Sequence, residues 1–124
     1  MNIVNEWLDK ARKDLATAIR ENAIKDEPNY DAVCFHSQQC IEKALKALMI
    51  KMDINITKIH DLNYLFLQIK QIDPMISIDE GKLRYLSRAA VSFRYPGEDA
   101  DFEQATTSLE YTLEIFKYLD GLLK

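Results

Sequence analysis

Apolar side chains recur at helical spacing through almost the whole chain, and that periodicity leaves little room for anything but helices. Val4, Leu8, Ala11, Leu15 and Ala18 fall at i, i+4, i+7, i+11 and i+14, one stripe over Ile3 to about Asn22 that Trp7 widens. Lys10, Arg12, Lys13, Arg20 and Glu21 take the solvent side. KDEPNYD then breaks the pattern, with Pro28 suited to a helix start. A second stripe, Val33, Ser37, Ile41, Ala44, Leu48 and Met52 with Leu45 beside it, predicts a helix from about Asn29 to Met52. Ser37 is its one polar member, and its hydroxyl is expected to bond a carbonyl one turn back.

DINITKIHD reads as a connector, because β-branched residues among Asn and Asp disfavour a helix. A shorter helix from Asp61 to Ile72 follows, with Leu62, Leu65, Phe66 and Ile69 on one side. After Pro74, Ser77-Ile78-Asp79-Glu80 matches a capping box, and a helix from Asp79 to about Phe93 is expected to bury Leu83, Leu86, Ala90 and Phe93. Pro96 and Gly97 end it. The last helix, from about Asp99 to Leu123, is expected to bury Phe102, Ala105, Leu109, Leu113 and Phe116. No segment of strand period interrupts these. The pattern predicts a single all-α domain over residues 1–124, an antiparallel up-and-down bundle of four to five helices.

Charge and apolar run length narrow the function classes. With 16 Lys+Arg against 20 Asp+Glu the net charge is −4, so attraction of a nucleic acid requires a local basic patch. No apolar run approaches the roughly 18 residues of a membrane span, and MNIVNEWLDK carries acidic residues where a signal peptide is basic and then apolar. The expectation is a cytoplasmic, full-length chain with no membrane partner.

The densest chemistry lies in CFHSQQCIEKALKAL, residues 34–48. Cys34 and Cys40 are six apart on one helix, so they diverge by about 120° and rise about 9 Å, too far for a disulfide. One histidine beside them makes no metal set, and no cofactor is expected. His36 and Ser37 diverge by about 100° and form no hydrolytic dyad. Gln38, Gln39 and Glu42 flank the apolar stripe, where they serve either as solvated surface or as a helix–helix contact. His60, just before a helix, either caps it or reaches an anion at its donor-rich end.

The fourth helix carries the one basic cluster that is also aromatic. Arg84, Arg88, Val91 and Tyr95 recur at i, i+4, i+7 and i+11, opposite the apolar stripe, and Arg94 adds a third guanidinium. Such a face binds phosphate and stacks a base, unless its arginines pair with the acidic GEDADFE that follows. The candidate ligand set is therefore Arg84, Arg88, Arg94, Tyr95 and His60.

Together, W…A..DL..A (Trp7, Ala11, Asp14, Leu15, Ala18), the 34–48 block, HDL (His60–Leu62) and RYP (Arg94–Pro96) resemble the HEPN domain family over nearly the whole chain. The resemblance implies a compact helical bundle, commonly a homodimer. It also implies nucleotide or RNA association and, in many prokaryotic members, a nucleotidyltransferase partner in a toxin–antitoxin pair. Family ribonucleases carry an Arg followed four to six residues later by a His. Here Arg88 is followed by Arg94, and no His occurs after His60. Only Arg88 carries over as a catalytic candidate, since arginine is a poor general base. Three readings follow: a non-catalytic nucleotide-binding module, a metal-independent endoribonuclease, and a ligand-free dimerisation scaffold.

Overall fold

The computed structural model describes residues 2–93 and 95–124, and among them the only regular elements are five helices: α1 (Ile3–Asn22), α2 (Tyr30–Lys51), α3 (Leu62–Ile72), α4 (Glu80–Ser92) and α5 (Phe102–Leu123). Each starts on a residue whose short side chain accepts from free N–H groups of the first turn: Asn2, Asn29, Asp61, Asp79 and Asp101. Such caps contribute about 1 kcal/mol apiece. Two expectations change at this level. Ser77 does not start α4; its backbone N–H donates to the Tyr118 hydroxyl at 3.0 Å, and Asp79 caps Gly81 and Lys82 instead. The capping box occurs at α5, where Asp101 and Gln104 satisfy each other's backbone N–H groups. Pro28 lies just before the Asn29 cap, at the start of α2.

α2 is the axle, packed against all four other helices. That explains why it is buried on several faces rather than along one stripe: Cys34, Gln38, Cys40, Glu42 and Lys46 are enclosed along with Val33, Ile41 and Ala44. The main core joins Leu8, Ile41, Leu45, Leu48, Leu65, Phe66 and Leu83 with Phe116. A second, small-residue cluster of Ala18, Val33, Cys34, Ala89, Ala100 and Ala105 lets α1, α2, α4 and α5 approach closely. Cys34 and Cys40 are free, buried thiols, and burial pushes both above their ordinary pKa.

The buried seam of α5 is rotated from its expected position. Ser108 and Thr112 are buried while Phe102 and Leu113 are exposed. Two hydroxyl contacts with α2 account for this: Ser108 Oγ donates to Cys34 Sγ, and Thr112 Oγ1 donates to the Ser37 carbonyl at 3.3 Å. Phe102 packs edge-on against Tyr30. The Ser37 hydroxyl itself is buried and has no partner among the described residues, contrary to the expected bond one turn back. No helix among the described residues is long and apolar enough to cross a membrane.

Candidate functional site

Between α2, the start of α3 and α4 lies an open groove of about 880 Å³. α4 supplies Arg84, Ser87, Arg88 and Val91, which helical spacing puts on one face. The connector before α3 supplies His60 and Asp61, and α2 supplies Phe35, Gln38 and Gln39. The α3 end is tied to α4 by two bonds: the Leu62 N–H donates to Ser87 Oγ at 3.4 Å, and Asn63 Nδ2 donates to the Glu80 carbonyl at 3.0 Å. Three of the five candidate residues, Arg84, Arg88 and His60, thus border one concavity. Tyr95 does not. α4 stops at Ser92, so the i+11 projection fails, and the ring stands 69% exposed beyond the helix. Arg94 lies outside the described residues.

Arg84 and Arg88 are exposed, and among the described residues neither forms an ion pair. Asp61 and Glu80 also face the groove, but Asp61 is occupied as the α3 cap. The guanidinium donors are left for an incoming anion, which they match in bidentate geometry.

Beneath the groove lies a polar cluster that the sequence pattern did not place. Glu42 is 4% exposed, and its Oε2 accepts from Lys46 Nζ at 3.0 Å and from His60 Nδ1 at 2.9 Å; Oε1 accepts from Gln38 Nε2 at 3.1 Å. Burial by itself raises the Glu42 pKa, but the bonds from His60, Lys46 and Gln38 outweigh it and hold the carboxyl below its ordinary value. An ionised carboxylate only accepts, so His60 Nδ1 carries the proton and Nε2 is the imidazole atom left to the groove. The Gln38 amide also donates to the His60 carbonyl at 3.1 Å, fixing the residue at both ends. His60 is therefore not the α3 cap; Asp61 is.

A second carboxylate is similarly enclosed. Asp14 of α1, 8% exposed, accepts from His36 Nδ1 at 2.7 Å and Lys43 Nζ at 2.6 Å, both on α2. His36 and Gln38 thus make contacts inside the fold. The sequence signal for Asp14 was its position: three residues after Ala11 and four before Ala18, both fully buried. Among the described residues no cluster of His, Cys, Asp and Glu is arranged to hold a metal.

Residues 4–122 match the HEPN domain family. No curated protein matches the chain. Two solved structures share its fold. The crystal structure of ST0689, an archaeal HEPN homologue, is 21% identical, with 98% of each chain covered and a TM-score of 0.72. That of TT1696 from Thermus thermophilus is also 21% identical over 98% of each chain, with a TM-score of 0.79.

Proposed function

The chain belongs to the HEPN domain family, and on that footing we propose that it is a nucleotide- or nucleic-acid-binding module. It acts as a homodimer and serves a minimal nucleotidyltransferase in a toxin–antitoxin-type pair. The observation that carries the binding reading is the groove edge at which Arg84 and Arg88, without intramolecular carboxylates among the described residues, stand with His60. A phosphate there gains charge-assisted bonds from two guanidiniums without breaking any ion pair. Phe35 and Tyr64, both partly exposed in the same groove, offer rings for a base. The dimer and the nucleotidyltransferase partner are supported by the family resemblance alone.

An NMR titration with nucleoside monophosphates tests the binding reading. Resonances of Gln38, His60 and Arg88 should shift together and saturate, and Arg88→Ala should weaken binding about tenfold, the order of one charge-assisted contact. Unmoved resonances at all three positions reject it.

One feature favours a second reading, metal-independent RNA cleavage: a histidine whose tautomer a buried carboxylate fixes shares the groove with Arg88. There His60 Nε2 would take the 2′-hydroxyl proton as the 2′-oxygen bonds to phosphorus, and Arg88 would neutralise the developing phosphorane charge. The P–O5′ bond would then break to leave a 2′,3′-cyclic phosphate, the 5′-oxygen recovering its proton from the His60 imidazolium. RNA cleavage in EDTA, lost in both His60→Ala and Arg88→Ala, supports it; an inert wild type removes it.

A further inference from the structure

Arg84 and Arg88 border two concavities at once. The second, of about 370 Å³, lies between α4 and the first turn of α5 and is bordered by Tyr85, Ser92, Phe93 and Gln104 with the same two arginines. Helix geometry produces this arrangement. Residues 84 and 88 are one turn apart and project as a row; Ser87 and Val91 fall on one flank, Tyr85 and Ser92 on the other. The guanidiniums therefore form a ridge with an aromatic-lined hollow on each side, Phe35 and Tyr64 in the first, Tyr85 and Phe93 in the second. Both volumes lie within the roughly 300–1,000 Å³ of small-ligand sites. The second hollow is well braced: the Tyr85 hydroxyl donates to the Gln104 carbonyl at 3.5 Å and its ring meets Tyr111 edge-on.

We propose that this ridge holds the phosphodiester linking two nucleotides of a single strand, with one base in each hollow. The inference rests on the nucleotide-binding reading and sharpens it, because a mononucleotide occupies one hollow whereas a dinucleotide straddles the ridge. The two non-bridging oxygens of a phosphodiester suit a pair of guanidiniums. Ring stacking accepts any base, so the site reads strand rather than sequence. Each hollow also holds an amide with capacity to spare for a base edge. Among the described residues, Gln39 uses its Nε2 on Gln38 and keeps its oxygen, while Gln104 uses its oxygen on the Asp101 N–H and keeps its amide donors.

The test compares adenylyl-(3′→5′)-adenosine with AMP on the intact protein, reading affinity by calorimetry and location by NMR. AMP carries the larger phosphate charge, so charge alone favours AMP, and tighter binding of the dinucleotide reports the second base. The dinucleotide should bind at least about tenfold tighter, shifting Tyr64 on one side and Tyr85 and Gln104 on the other, while AMP shifts one side only. Ser92→Phe fills the second hollow from an exposed position and should bring the dinucleotide down to about the AMP affinity of wild type. Equal affinities, or dinucleotide shifts confined to one hollow, overturn the proposal while AMP binding leaves the nucleotide reading standing. If neither compound binds, that reading falls and the ridge proposal with it.

Discussion

Two enclosed carboxylates, Asp14 and Glu42, each hold one histidine Nδ1 and one lysine, yet the two histidines live in different places. His36 is clamped across the α1–α2 seam with its side chain 30% exposed, whereas the His60 side chain is 73% exposed and borders the groove. The first set joins two long helices. The second fixes a connector residue against the central helix and leaves its imidazole edge to solvent. The same chemistry thus acts as a fastener in one region and as a support for a surface group in the other. What separates them is whether the histidine's far side meets a helix or a concavity.

Truncating each carboxylate gives the largest expected contrast. Glu42→Ala leaves Lys46 enclosed and uncompensated, since the lysine side chain is only 7% exposed, and should cost about 3–5 kcal/mol in urea unfolding. Asp14→Ala should cost less, about 2 kcal/mol, because His36 and Lys43 can turn to water. Equal losses would erase the distinction between the two sets.

Acid titration sharpens the same point. The folded-state pKa of Glu42 lies below its ordinary 4.5, so its stabilisation is fully present above that value and is lost as pH falls through the folded pKa. In a series of urea midpoints from pH 6 down to pH 2, wild type should lose this increment and Glu42→Gln should lack it. Parallel curves for the two proteins would refute the assignment.

The histidines should then divide cleanly by readout. His36→Ala is expected to lower stability by about 1 kcal/mol and leave nucleotide affinity alone. His60→Ala removes one of the donors that hold the enclosed Glu42 carboxylate, so it should also cost about 1 kcal/mol, and it alone should weaken nucleotide binding several-fold. Smallest of all, Ser37→Ala removes a buried hydroxyl with no partner among the described residues and should be neutral or stabilising by less than about 1 kcal/mol.

The helices were legible because their punctuation is chemical. Asn or Asp stands at every start, and Pro28, Pro74, Pro96 and Gly97 lie in three of the four gaps, so sequence-derived boundaries for α1 to α4 fall within a residue of those observed. α5 begins later, at Phe102, because Asp101 rather than Asp99 supplies the cap. Which polar residues are enclosed was not legible. Ser108 and Thr112 look like breaks in an apolar stripe until α2 supplies a sulfur and a carbonyl for them. Gln38 and Glu42 could serve as solvated surface or as a helix contact, and only the packing of four helices around α2 shows that they and Lys46 are enclosed. Arg84, Arg88 and Val91 were readable as one helical face because helix period alone sets it. Tyr95 was not, because the projection assumed three more residues of helix than form.

The central claim is that the Arg84–Arg88 face of the groove is an anion site open to nucleotides. Calorimetric titration of AMP into wild type and into the Arg84→Ala/Arg88→Ala double variant tests it most directly. Saturable binding by wild type, weakened at least tenfold in an equally stable double variant, is the predicted result. Equal heats from the two proteins, or none from wild type, would contradict it.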